Sequence, residues 1–184
     1  GQRLAVSFGR SVGEARTRAH QGLATDPLAL AGARLAWLQR LPRQADPRRD
    51  RLLRKCLSVM KVNALAPEGA NRRLWSTPDR VPHRHMWLWD SVFHSFAMGR
   101  VDREAAWSFL AAVLDRQRGD GMIPHMMPAH GPASAITQPP LLAWGVWEHY
   151  RAGGDRDRLE WALPRLEVYL GWNLEHRDRN RNGL

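Results

Sequence analysis

The sequence predicts an all-α fold of repeated helix pairs, preceded by a short N-terminal strand. Apolar residues recur at helical spacing in several segments, which are separated by aspartates, prolines and glycines. A helix with one apolar stripe (residues 103–118) precedes a helix that is apolar on nearly every side (residues 140–151). Two long loops, residues 63–85 and 119–140, carry the least usual side chains. Outer and inner helices that alternate, with functional loops at one end, are what an α/α toroid requires, and about three helix pairs fit the chain.

The first third of the chain predicts one strand and three helices. Residues 3–8 (RLAVSF) form an apolar-rich run before a glycine, which is typical of a strand. Residues 12–24 are compatible with a polar helix, and a second helix is expected at residues 28–41, followed by a linker at residues 42–47. A third helix is expected at residues 51–62. Its apolar stripe includes the lone Cys56, which favours a small core residue over a nucleophile.

Start and stop signals in the rest of the chain predict the remaining helices. Asp102 and Asp155 are the expected N-caps of two of them, and Pro140 suits the start of another. Pro164 is expected to split the last helical segment, because proline interrupts the hydrogen bonding of a helix interior. The helices are therefore expected at residues 89–98, 103–118, 140–151, 156–163 and 164–175.

The composition excludes several classes of protein. The formal net charge is +10, carried mostly by arginine, with one dense basic run at residues 48–55. No zinc-finger spacing, RNA-binding aromatic motif or basic zipper accompanies this run. A basic nucleic-acid-binding helical module therefore remains only an alternative function, and no nucleic-acid partner is expected. No run of about 18 apolar residues exists, so no transmembrane helix and no membrane partner are expected. A single cysteine is compatible with a reducing compartment, and we expect a cytoplasmic protein.

The stretch MWLWDSVFHS, residues 86–95, has the most unusual composition in the chain. On a helix, one of its faces would carry a flat aromatic ring, a carboxylate, a hydroxyl and an imidazole, from Trp87, Asp90, Ser91 and His94. The opposite face would suit a protein core and carries Trp89, Val92, Phe93 and Phe96. Stacking platforms and directional hydrogen-bonding groups together are typical of sites for polyhydroxylated ligands.

Three motifs follow one another in the second part of the chain. They are STPDRVPHRHMWLWDSVFH at residues 76–94, DGMIPH at residues 120–125 and TQPP at residues 137–140. In order and approximate spacing they resemble the Trp-Asp-Ser segment, the Ile-Pro loop and the Ser-Gln-Pro-Pro segment of the α/α-toroid glycoside hydrolases of family 63 and the related trehalases. The resemblance covers roughly residues 55–184. Within the family it is greatest to bacterial enzymes that act on mannosylglycerate, glucosylglycerate and similar small α-glycosides.

The resemblance implies substrate-binding roles for five side chains. Asp90 would bind sugar hydroxyls in the −1 subsite, and Trp87 and Trp89 would shape that pocket or stack on the sugar. Gln138 would hydrogen-bond the sugar from the next inner helix, and His125 would lie where the sugar meets the aglycone. The ordinary alternatives are a core position for Trp89 and a structural loop position for His125. No cofactor is implied, and the expected partner is a small glycoside or oligosaccharide.

The resemblance also implies hydrolysis with inversion, by a carboxylic acid and a carboxylate separated enough to admit a water. In the relatives both groups follow the segment that ends here at Leu184, so the general acid and base are expected beyond it. The family's (α/α)6 toroid has about six helix pairs. We therefore expect residues 11–184 to be the N-terminal half of the catalytic domain, inactive alone, and residues 1–10 to be a linker or the tail of a β-domain. A non-catalytic carbohydrate-binding toroid is the alternative function.

Two other groups of residues could suggest a metal. Residues 178–183 (DRNRNG) match the first half of a calcium loop, with possible ligands at Asp178, Asn180 and Asn182. Two arginines dilute the negative charge there, which favours a structured turn. The histidines of the first long loop and the helix after it have no metal-ligand spacing. We therefore expect no metal site.

Overall fold

The computed structural model describes residues 3–178 and 180–182, and the chain divides after Arg43 into two compact units. The described residues are mostly helical, with a few very short strands, which confirms the predicted helical class. The first unit contains α1 (Val12–Ala24) and α2 (Pro27–Gln39). The second unit contains, in chain order, α3 (Pro47–Asn63), β1 (Ala64–Leu65), β2 (Trp75–Ser76), β3 (Met86–Trp87), α4 (Leu88–Met98), α5 (Arg103–Leu114), β4 (Met126–Met127), α6 (Leu142–Gly153) and α7 (Arg156–His176).

The predicted strand at residues 3–8 is wrong, because these residues form no strand. Their apolar side chains are exposed, Phe8 to 83%. Within the first unit the segment is bonded to α1 instead. Ser7 Oγ donates to the Ala15 carbonyl at 2.5 Å, and the Arg18 guanidinium donates to the Phe8 carbonyl at 3.0 Å. A strand needs the backbone of a neighbouring strand, and a helix offers none.

An aspartate followed by a proline begins both α2 and α3. Asp26 and Asp46 each accept a hydrogen bond from the amide two residues later, at 3.0 and 2.7 Å. Proline follows at the first helical position, where its missing N–H has no intrahelical partner to lose. As a result α3 begins at Pro47 rather than at residue 51. The core position expected for Cys56 is also wrong, because this thiol is exposed while the neighbouring Leu57 is buried.

The most buried helix of the second unit is α5. Ala105–Trp107 and Phe109–Leu114 are all buried, and the helix contacts α4, α6 and α7. In contrast, Trp144 and Trp147 of α6 are 48% and 50% exposed. The expected one-sided packing of α5 and nearly complete burial of α6 are therefore both wrong within the described chain. The hydropathy of a helix shows how many of its faces are apolar, but does not show which of them another element covers.

Three helices of the second unit meet at Gly145 of α6. A Cβ atom added to this glycine would lie 2.8 Å from Leu110 Cδ2 of α5 and 3.0 Å from Val92 Cγ1 of α4. A Cβ atom at 2.8 Å would force the Leu110 side chain to move, and the contact with Val92 would also be tight. The close approach fixes the position of α4, whose first turn carries the candidate site.

The last helix, α7, is continuous over 21 residues, so the predicted split at Pro164 is wrong. Glu160 and Pro164 are exposed, so water can reach the carbonyl that loses its partner. Burial of Ala162, Tyr169 and Asn173 anchors the helix on both sides of the proline. In the described part of the chain, no helix combines the length and the apolarity needed to cross a membrane.

Two short antiparallel strand pairs fix the positions of the two long loops. Ala64 pairs with Ser76 between β1 and β2, and Met86 pairs with Met127 between β3 and β4. Both methionines are fully buried. The second pairing brings the start of α4 next to the residues that follow His125, and so joins two of the three sequence motifs.

Candidate functional site

The N-terminus of α4 is capped by another part of the chain rather than by a local side chain. Its N-cap residue, Trp87, makes no side-chain capping bond. Instead the Leu88 amide donates to the His125 carbonyl at 3.0 Å, and the Trp89 amide donates to Gln138 Oε1 at 3.0 Å. The first amides of a helix have no intrahelical acceptor. The loop before α6 supplies the acceptors here, and it thereby joins the second and third motifs to the first.

Aromatic rings line one side of this junction. The Trp87 ring lies 5.3 Å from the His125 ring, centroid to centroid, at an interplanar angle of 70°. Trp87 is half-buried, and its indole Nε1 donates to the His83 carbonyl at 3.2 Å. His125 Nδ1 lies 2.5 Å from Ser134 Oγ, which orients the imidazole. The other ring nitrogen of His125 has no protein partner among residues 3–178 and 180–182, so it is available to a ligand.

Asp90 is the acidic residue in the first turn of α4. Its carboxylate is half-buried, and no hydrogen bond or ion pair to it exists within the described chain. The positive end of the helix dipole favours a negative charge at this position. Gln138 Oε1 is used by the amide of the residue before Asp90, whereas the Gln138 Nε2 group has no acceptor in the same described residues. A carboxylate acceptor and an amide donor are thus both free beside one helix end.

The prediction of which residues lie on each face of α4 is wrong in part. Trp89 and Phe93, expected on the core side, are 40% and 47% exposed. Ser91, expected on the ligand side, is fully buried, and its hydroxyl donates to the Trp87 carbonyl at 2.7 Å. The buried stripe is shifted around the helix and consists of Leu88, Ser91, Val92, Ser95 and Met98. The exposed Trp89 ring contacts Phe93 with centroids 6.5 Å apart.

His94 lies one turn after Asp90, and its imidazole contacts a serine of another element. Its Nδ1 lies 2.9 Å from Ser76 Oγ of β2, and that serine is almost completely buried. Burial lowers the pKa of His94, while the charge of Asp90 acts in the opposite direction. A neutral imidazole in this position ties α4 to the β1–β2 pair.

A pair of buried hydroxyls behind Gln138 was not singled out by sequence reasoning. Thr137 Oγ1 lies 2.6 Å from Tyr169 OH, and Tyr169 OH lies 3.1 Å from the Gln138 carbonyl. Burial raises the pKa of Tyr169. The sequence held one signal for this pair, a tyrosine within the apolar stripe of a helix. A buried phenol needs a hydrogen-bonding partner, so such a tyrosine indicates a polar group packed against it.

Five candidate residues therefore meet at one helix end. Two clefts lie elsewhere, of about 460 Å³ beside residues 115–118 and of about 530 Å³ between α4, α5 and α6. None of the five candidates lines either cleft: Trp87, Trp89, Asp90, His125 and Gln138. The junction carries half-buried side chains with unused polar groups.

No group of three or more histidine, cysteine, aspartate or glutamate residues in the described chain could hold a metal ion. Two of the histidines considered have protein partners. His83 Nδ1 contacts Asp79 at 2.9 Å, and His94 contacts Ser76. In the possible calcium loop, Asp178 Oδ1 accepts from the Asn182 amide at 3.0 Å, which is a turn contact. Arg179 and Gly183, the second and sixth positions of that match, lie outside the described residues.

Comparison with known proteins assigns the family. A profile of the mannosylglycerate hydrolase MGH1-like glycoside hydrolase domain matches residues 83–184, more than half of the chain and all five candidates. The chain belongs to this family. The resemblance to family 63 hydrolases of the mannosylglycerate type is thereby confirmed.

Two similar proteins are hydrolases named for related small glycosides. Mannosylglycerate hydrolase from Thermus thermophilus is 32% identical over 154 residues, which cover 71% of this chain and 35% of that protein. Glucosylglycerate hydrolase from Mycolicibacterium hassiacum is 33% identical over 132 residues, which cover 54% of this chain and 30% of that protein. The chain thus spans about a third of the length of these relatives.

Solved structures also match most of this chain. The GH63 mannosylglycerate hydrolase from Thermus thermophilus in complex with glucose matches with a TM-score of 0.61 and 30% identity, and the match covers 72% of this chain and 36% of that one. The complex of that hydrolase with Tris and D-glycerate matches with a TM-score of 0.60 and 30% identity, and the match covers 71% of this chain and 34% of that one.

Proposed function

We propose that this chain forms the sugar-binding part of an inverting α-glycoside hydrolase that acts on a small glycoside such as mannosylglycerate or glucosylglycerate. Its helices would contribute about three helix pairs to an (α/α)6 toroid. The junction at the start of α4 would be the −1 subsite. Family membership supports the reaction class, and the named relatives support the choice of substrates to test.

The observation that carries the proposal is the pair of unused polar groups at the start of α4. A sugar hydroxyl both donates and accepts hydrogen bonds, so it can donate to the Asp90 carboxylate and accept from Gln138 Nε2. The Trp87 ring supplies an apolar surface for the C–H groups of a pyranose. Free polar groups on half-buried side chains beside an aromatic ring favour a polyhydroxylated ligand over a purely apolar or purely ionic one.

Asp90 has the role of binding sugar in this proposal, not that of breaking the glycosidic bond. A general acid must hold a proton at neutral pH, and burial in an apolar setting is the usual means. Asp90 lies in the first turn of α4 beside the free Gln138 Nε2 group, which suits a carboxylate that binds hydroxyls. An ionised carboxylate accepts charge-assisted hydrogen bonds from sugar hydroxyls, and these are the stronger kind.

The test is hydrolysis of mannosylglycerate and glucosylglycerate by the protein expressed from its complete open reading frame. Proton NMR of the freshly released sugar should show the anomer opposite to that of the substrate before mutarotation occurs. Asp90→Ala should abolish turnover. Asp157→Ala is the matched control, because Asp157 also lies in the first turn of a helix, where it is exposed. It should leave turnover unchanged.

Each outcome bears on a different part of the proposal. Sugar binding without hydrolysis of any small α-glycoside would favour the non-catalytic carbohydrate-binding alternative. Release of the sugar with its configuration retained would contradict the inverting mechanism. Equal effects of Asp90→Ala and Asp157→Ala, or no binding of sugar at all, would contradict the location of the site.

A further inference from the structure

The segment that carries Gln138 has little backbone hydrogen bonding of its own. Pro139 and Pro140 follow Gln138 and have no amide hydrogen to donate. A residue before proline is also restricted to extended backbone conformations. The orientation of the Gln138 carboxamide must therefore be fixed through carbonyl groups and side chains.

Two buried hydroxyls supply these contacts. Thr137 Oγ1 lies 2.6 Å from the Ile123 carbonyl and 2.6 Å from Tyr169 OH, and Tyr169 OH lies 3.1 Å from the Gln138 carbonyl. Each hydroxyl donates only one proton, so at any moment only two of these three contacts can be donated hydrogen bonds. The two hydroxyls thus act as a unit, because removing either leaves a buried acceptor without a donor. The unit joins the residue-123 loop, the TQPP segment and α7.

We propose that the hydroxyl pair of Thr137 and Tyr169 positions Gln138 and, through it, the first turn of α4 that carries Asp90. The link from Gln138 to α4 is the 3.0 Å hydrogen bond from the Trp89 amide to Gln138 Oε1. Thr137 is 7% and Tyr169 2% exposed, so neither reaches a ligand at the surface. They are positioning residues, and their consequence for sugar binding rests on the proposed function.

Hydrogen exchange of the Trp89 amide tests this positioning directly. The amide is protected only while Gln138 Oε1 stays in place. Thr137→Val removes one hydroxyl at nearly constant volume, whereas Thr137→Ser keeps a hydroxyl at the same position. Thr137→Val and Tyr169→Phe should each speed exchange of the Trp89 amide by about five- to tenfold, as expected for one lost hydrogen bond. Thr137→Ser should restore the rate to near that of the unmodified chain.

Two control variants separate positioning from general loss of stability. Tyr150→Phe removes a phenolic hydroxyl that makes no hydrogen bond within the described residues, and should not change the exchange of the Trp89 amide. Val113→Ala creates a cavity in the buried helix α5, which carries neither of the two hydroxyls. It should lower global stability without selectively speeding the Trp89 amide. An unchanged rate in Thr137→Val and Tyr169→Phe, or an equal rise in Val113→Ala, would overturn the proposal.

Sugar binding supplies a second readout that the exchange measurement does not require. If glucose binds at the proposed subsite, Thr137→Val should weaken binding by about fivefold and Thr137→Ser should not. If the unmodified chain does not bind glucose, the proposed function is contradicted. The hydrogen-exchange result then tests on its own whether the hydroxyl pair positions Gln138. Glucose binding that is unaffected by Thr137→Val, despite faster exchange, would overturn the functional part of the inference.

Discussion

Replacement of Gln138 by alanine tests the connection between two of the sequence motifs. The side chain accepts the hydrogen bond of the Trp89 amide at 3.0 Å and so acts as an N-cap supplied from a distant loop. Loss of a capping side chain costs about 0.5–2 kcal/mol of stability. Trp89 is partly exposed, so water can replace part of the bond, and we expect a cost of about 1 kcal/mol.

The free energy of unfolding can be measured by urea or thermal denaturation. A loss of about 1 kcal/mol corresponds to a fall in melting temperature of about 2–4 °C for a chain of this size. Gln138→Glu is the matched control, because a carboxylate keeps the acceptor and places a negative charge at the positive end of α4. We expect it to stay within about 0.5 kcal/mol of the unmodified chain.

Sugar affinity should respond differently from stability in these two variants. Both remove the Nε2 donor, so both should bind glucose weakly, although only Gln138→Ala is destabilised. Equal destabilisation of the alanine and glutamate variants would refute the capping role. Full stability of Gln138→Ala would also refute it, and unchanged sugar binding by Gln138→Glu would refute the donor role.

The remaining predictions concern charge, pH and packing. Asp90→Asn should cost no more than about 1 kcal/mol of stability, since the carboxylate makes no hydrogen bond or ion pair in the described chain and loses only its interactions with the α4 dipole and with His94. It should weaken glucose binding by about tenfold or more in calorimetric titration. Burial lowers the pKa of folded His94 below its ordinary value of 6.5, so the unfolded chain takes up this proton first. Stability should therefore fall as pH drops below about 6.5, and His94→Asn should flatten that fall in denaturation curves. Gly145→Ala should cost about 1–3 kcal/mol because its Cβ would meet Leu110 at 2.8 Å. Gly171→Ala, with open space around the glycine in α7, should instead gain up to about 1 kcal/mol.

Local signals in the sequence predicted much of the helical structure. Asp102 and Asp155 cap α5 and α7 as expected, accepting amide hydrogen bonds at 2.9 and 3.1 Å. The start of α3 was predicted too late because Asp46 and Pro47 were assigned to a linker. Pro164 was predicted to end a helix, but buried residues on both sides of it keep α7 continuous. Tertiary packing overrides a local preference in that case.

The burial of each helix face could not be obtained from periodicity. Ala105, Trp107 and the residues after them are covered on most sides of α5, whereas Trp144 of α6 and Phe93 of α4 remain half-exposed. Hydrophobic spacing identifies apolar stripes, but neighbouring elements decide which stripe is covered. The expected roles of the two helices were exchanged for this reason.

The candidate site was predictable in its residues but not in its construction. Asp90 and Gln138 were expected to share one surface, and the amide next to Asp90 bonds to the Gln138 carboxamide. The capping of α4 by a loop some fifty residues away, and the buried contact of Thr137 with Tyr169, are long-range hydrogen bonds. No local pattern specifies such pairs, because each partner alone looks like an ordinary polar residue.

The most direct measurement is a ¹⁵N NMR titration of the chain with glucose. We predict saturable shifts confined to the start of α4 and the loop before α6, at Trp87, Trp89, Asp90, His125 and Gln138. The same shifts should require at least about tenfold more glucose in Asp90→Asn, and should be unchanged in Asp157→Ala. Saturable shifts in the cleft between α4, α5 and α6 instead, or a response that Asp90→Asn leaves unchanged, would contradict a sugar site at the start of α4.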